Sequence, residues 1–192
     1  MVAGEKDGFS RDARIIELST RVLPINGHRF GLSVVDGAVG RVAGEDGFVD
    51  DDAILEMWAH RAGFPSRLAA SDVARGWWNP ETAFAVRRAA ASTWQVDIEN
   101  RGARTIEAVF AMEADADRFL LMRFGVLWRL ERGFDDCFPL SPAEGVDVEA
   151  SGSGYTVRAG TGIVEILSKR QAIRFSHVAG ESLAAVSARL MT

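Results

Sequence analysis

Apolar and polar residues alternate over much of the chain. Ile16, Leu18, Thr20 and Val22 alternate with Glu17, Ser19 and Arg21 until Pro24. A two-residue repeat puts one face of an extended strand against a core and the other in water. Asn26-Gly27 follows, a pair that tolerates positive φ and so suits a tight hairpin turn. Phe30, Leu32 and Val34 predict a second strand, and Val39 and Val42 a short third. Residues 13–43 thus read as a meander, preceded by a loose polar terminus over residues 1–12.

The period changes after residue 50. Ile54, Met57, Trp58 and Arg61 are spaced three and four apart behind Asp50, Asp51 and Asp52, acids placed where the positive end of a helix favours them. Gly63 and Pro65 stop this helix, and Ser66 is placed to cap a second short one through Val73. Together these make a helical insertion over about residues 50–76. Residues 82–91 fit helix or strand.

From Trp94 the two-residue period returns. Trp94, Val96 and Ile98 predict one strand, Asn100-Arg101-Gly102 a turn, and Ile106, Ala108, Phe110 and Met112 the return strand. Leu120 to Leu130, with apolar residues at every even position, reads as a longer strand. Shorter runs follow at 146–149, 155–158, 163–167 and 173–178, then a last one at 183–191. Glycines at 152, 154, 160 and 162 bracket the run at 155–158 as hairpin turns. Many short runs separated by turn residues predict a mostly β fold, an antiparallel β-sandwich forming a single domain over residues 1–192.

Composition narrows the chemistry. A net charge of -5 with no basic block argues against a nucleic-acid partner. The longest apolar runs are too short for a membrane span. A single cysteine, Cys137, leaves no disulfide within the chain, and no secretory signal is apparent, so a cytoplasmic location is expected. The three histidines, at 28, 60 and 177, fall in three different elements, so neither a metal nor another cofactor is expected. Acidic Asp136 beside Cys137 should raise the thiol pKa and makes it a poor nucleophile. Glu113, Asp115 and Asp117 alternate at the end of a strand and so could project together, raising one carboxyl pKa. The preferred reading of the three is a polar turn between two strands.

Five tryptophans are present. Trp58, Trp94 and Trp128 fall at apolar-periodic positions of the core. Trp77-Trp78, between Gly76 and Asn79-Pro80, reads as a loop pair. Such a pair either forms a flat platform for a sugar ring or a partner surface, or plugs the end of the fold.

The segment Val96–Glu113, VDIENRGARTIEAVFAME, and Ala179-Gly-Glu-Ser182 resemble the galactose-mutarotase-like β-sandwich domains found at the C-terminal end of family 57-type glycoside hydrolases. In those domains a strand ending in E-N-R precedes one ending in F-x-x-E, and a P-G-E-S-like turn, here with Ala179 for Pro, precedes the last strand. The resemblance covers about the last hundred residues and implies a carbohydrate-linked sandwich without its catalytic barrel. The expected function is a non-catalytic binding or interaction module, for carbohydrate or a protein partner, with Trp77, Trp78, Glu113 and His177 as candidate binding residues. The alternatives are a sugar isomerase or lyase using carboxylates near Glu113 and a histidine, or a structural subunit of a larger assembly. Ligand identity, strand order and oligomeric state stay open.

Overall fold

The computed structural model describes residues 24, 25, 28, 29, 50–159 and 162–192. The strands expected at 16–22, 30–34 and 39–42, the Asn26-Gly27 turn and the loose terminus lie outside the described residues. Two short strands, β1 (Pro24–Ile25) and β2 (His28–Arg29), pair antiparallel. The remaining strands form one antiparallel sheet of eight in the order β3-β4-β5-β6-β7-β10-β9-β8. They are β3 (Ser66–Arg67), β4 (Val73–Trp78), β5 (Thr82–Ala90), β6 (Thr93–Asn100), β7 (Ala103–Phe110), β8 (Asp147–Ser151), β9 (Gly154–Ala159) and β10 (Gly162–Ile166). Among the described residues there are four helices: α1 (Asp51–Arg61), α2 (Glu113–Glu131), α3 (Lys169–Ser176) and α4 (Leu183–Leu190). The fold is therefore mostly antiparallel β with short helical parts, as the alternation predicts.

Alternation along the strands sends Phe84, Val86, Val96, Ala108, Val164 and Ile166 to one face, where they are buried under the helices. α2 lies over β5, β6 and β7, and α3 over β8, β9 and β10. α1 and α4 pack on the other side of α2. Phe124 of α2 sits at the centre, with its ring edge-on to Trp77 and Phe84 at centroid distances of 5.6 and 5.5 Å. Clustered rings of this kind add to the simple gain from buried area.

Three runs expected to be strands are helices. Leu120–Leu130 lies in α2, Ile173–Val178 overlaps α3, and Leu183–Met191 is mostly α4. In α2 the cause is burial on both sides: Leu120, Leu121, Met122, Phe124 and Val126 are all buried, so no helical stripe stands out from the apolar background. Ser182, read as part of a turn before a terminal strand, is the N-cap of α4 and accepts from Ala185 N at 3.2 Å. The second short helix expected over 66–73 is replaced by β3 and the approach to β4, and residues 82–90 are strand β5. α1 forms where expected, its cap Asp50 accepting from Asp52 N at 3.1 Å. The turn at Asn100-Arg101-Gly102 is also confirmed: Arg101 and Gly102 both have positive φ, 49° and 85°, and β6 and β7 pair on either side.

Candidate functional site

The tryptophan pair lies in strand β4, not in a loop, and strand alternation separates its indoles. Trp77 is fully buried on the helix-covered face and donates from Nε1 to Glu56 at 3.2 Å, with the Arg67 guanidinium over its ring. Trp78 is half-buried and pairs with Ala83. The two rings therefore cannot form one flat platform, and Trp77 is a plug. Gly76 precedes them because a Cβ there would come within 3.0 Å of the Phe84 carbonyl oxygen and 3.1 Å of Leu68 and Val73.

Glu113 opens α2, so helical spacing governs the carboxylates expected to share a strand face. Glu113 and Asp117, four apart, both reach Arg75 of β4, at 2.5 and 3.2 Å. Asp115 points elsewhere, to Arg118 at 2.7 Å. Asp52 of α1 completes the cluster by accepting from Arg75 Nε at 2.8 Å. Three carboxylates from two helices thus surround one guanidinium. Burial pushes the Asp117 carboxyl up to about 7; Arg75 pulls against this, while Glu113, Asp52 and Asp51 add to it. Sequence reasoning anticipated like-charge crowding here but missed Arg75, whose position in a strand facing both helix starts no local pattern announces.

His177 ends α3, with Nε2 at 2.9 Å from the Ser141 carbonyl oxygen and its ring near Phe138. Among the described residues it shares no hydrogen-bond or salt-bridge partner with Glu113. Cys137 is half-buried, and its thiol is pushed up by burial and further by Asp136, against a pull from Arg129. Among the described residues no group of three or more His, Cys, Asp or Glu side chains could hold a metal ion.

None of the four described helices lies on the other face of the sheet. On β5, β6 and β7 that face carries a buried ion network. The Asp97 carboxylate accepts from Arg87 at 2.9 Å and Arg104 at 2.5 Å, while its buried Oδ1 has no partner among the described residues. Burial raises the Asp97 pKa despite the pull of both arginines. Toward β10 the face opens to solvent. Ile106, Ile163 and Leu167 are 44, 58 and 46% exposed, with the exposed Glu165 between the last two on β10. A cleft of about 190 Å³ lies between β7 and the β9–β10 hairpin, lined by Ile106, Tyr155, Glu165, Leu167, Ser151 and Ser153 among others. Beside it β10 and β7 are in register over only two residue pairs, Glu165 with Val109 and Ile166 with Ala108. A β-bulge in β7 opposite Val96 and Asp97 further bends the strand there.

No family model matches the chain, and no curated protein matches it. Among solved structures the fold is similar to Rv3902c from M. tuberculosis, with a TM-score of 0.58 and 17% identity over 72% of this chain and 87% of that one. At that identity the likeness is one of fold alone.

Proposed function

We propose that this protein is a non-catalytic interaction module that offers the outer face of β7 and β10 to a protein partner. The observation that carries this reading is the set of exposed apolar side chains Ile106 of β7, Ile163 of β10 and Leu167 just after β10, on a face that no described helix covers. The cleft beside them is small for a typical small-molecule site, which holds roughly 300–1,000 Å³. Glu165 stands within the patch, and Asp147 and Glu149 line the β8 edge. A partner with an apolar anchor and a basic rim fits this combination, and the net charge of -5 would speed its approach.

The test uses Ile106→Lys and Ile163→Lys. Both positions are exposed, so the variants should fold. A partner captured by the native chain is purified and its affinity measured by calorimetry. Either substitution should weaken binding at least tenfold, and added salt should slow association. A partner held equally well by both variants would overturn the proposal.

A second reading keeps carbohydrate as the ligand, in the cleft. Ser151, Ser153 and Glu165 offer groups that can bond sugar hydroxyls. Monosaccharide binding that is lost in Glu165→Ala but kept in Ile163→Lys would favour it.

A further inference from the structure

We infer that the cluster of Arg75, Asp52, Glu113 and Asp117 is a proton-sensitive clasp, closed when one proton is held among its three carboxylates and loosened when that proton leaves. The geometry requires a choice of this kind. Asp52 comes from the first turn of α1, Glu113 and Asp117 from the start of α2, and the single guanidinium from β4. Fully ionised, the four groups sum to a net charge of minus two. The inner part of the site is shielded from water: the side chains of Asp117 and Arg75 are only 10 and 22% exposed. Like charges in such a place raise the affinity for a proton.

Asp117 is the member that would keep it. Asp52 and Glu113 are 53 and 39% exposed and each takes a guanidinium hydrogen bond, at 2.8 and 2.5 Å. Asp117 is the most buried of the three and has the weakest hold on Arg75, with both oxygens beyond 3.1 Å. The charged groups that face it are Arg75 from β4, Asp51 and Asp52 from α1, and Glu113 from its own helix. Arg118, one residue on, is engaged by Asp115 and the Glu181 carbonyl and offers no second cation.

The sign follows. Asp117 holds its proton more tightly in the folded chain than in the unfolded one, where an aspartate titrates near 4. The contribution of Asp117 to stability is therefore greatest at acid pH, falls as pH rises from about 4 to about 7, and is flat above that. Where the lost stability appears is set by what the cluster joins, the first turn of α1 to β4 and α2. Above neutrality that turn should open more often while the rest of the sheet is unaffected.

The experiment is a carboxyl NMR titration of the full chain, paired with hydrogen exchange at pH 6 and pH 8 corrected for intrinsic rates. One aspartate should titrate near neutrality and disappear in Asp117→Asn. The amides of Ile54 to Glu56 should lose several-fold of their protection between the two pH values in the native chain and not in the variant. Glu113→Gln should lower the Asp117 midpoint by removing one repelling charge, and it serves if Asp117→Asn does not fold. Titration of every aspartate below pH 5 in the native chain, or an unchanged Asp117 midpoint in Glu113→Gln, would overturn the proposal.

Discussion

Arg123 of α2 and Glu107 of β7 form a two-pronged pair, Nε to Oε2 at 2.8 Å and Nη2 to Oε1 at 2.9 Å. Both side chains are largely buried, and Arg123 also lies over the Phe84 ring. Glu107 occupies the bulged position of β7, where the extra residue turns its side chain toward the helix. The pair thus fixes α2 against the point where the sheet bends. Fork-to-fork geometry is among the stronger ionic arrangements. A double-mutant cycle with Glu107→Ala and Arg123→Ala, read by denaturant unfolding, should give a coupling energy of about 1–3 kcal/mol.

The tryptophans should respond unequally. Trp77→Ala empties a core site beside Phe124 and should cost about 3–5 kcal/mol. Trp78→Ala removes a half-buried ring and should cost about 1–2 kcal/mol, because less area is returned to water. Variants that keep one of the two indoles, with Phe at the other tryptophan positions, should show Trp77 protected from acrylamide and Trp78 accessible to it.

Gly125 lets α4 approach α2. A Cβ there would lie well inside van der Waals contact of both Leu190 Cδ atoms and 2.7 Å from Cγ, and Leu190 is itself fully buried. Gly125→Ala should therefore destabilise by up to about 2 kcal/mol, the crowding of roughly 1–3 kcal/mol less the helix-propensity gain of about 1. The paired change Gly125→Ala with Leu190→Ala should recover part of the loss that the two single changes predict when added. Thermal melts of the four proteins test this.

Asp136 ties the loop after α2 to α3. Burial raises its pKa, but hydrogen bonds from Arg174, the Phe138 amide and Arg170 outweigh that and hold the carboxyl below its usual range. The folded pKa is lower than the unfolded one, so this carboxylate stabilises the fold above about pH 4, and that contribution is lost as pH falls through the folded value. Asp136→Asn should cost about 1–2 kcal/mol at pH 7 and less at pH 3. Urea titrations of both proteins at the two pH values measure the difference.

How much of this could be read in advance depends on where each element sits. β6, β7, β9 and β10 have one face toward the helices, so their alternation survived and their positions were legible within a few residues. So was α1, with acids at its start. α2 was not, because it is pressed between the sheet and two helices; residues such as Leu121 and Gly125 face partners as surely as Leu120 does. The tryptophan pair was misplaced because glycine before it and Asn-Pro after it look like a turn, while here Gly76 makes room in a packed strand. The carboxylates near Glu113 were legible as a crowd, but their arrangement depended on the helix, and Arg75 joins them only through the tertiary fold. The patch at Ile106, Ile163 and Leu167 had no signal: an apolar strand residue facing water looks like one facing a core.

The joint between β7 and β10 has a consequence for how the chain folds. On one side of it, strands β3 to β7 follow one another in sequence order, and on the other β8 to β10 do the same in reverse. Each set can zip up through short loops, with little entropy lost per closure. Joining the sets means closing across α2 and the whole of residues 111–161, with two registered residue pairs as the direct return. Two locally nucleated halves would form first, with this joint as the slow step and the first place to part under load.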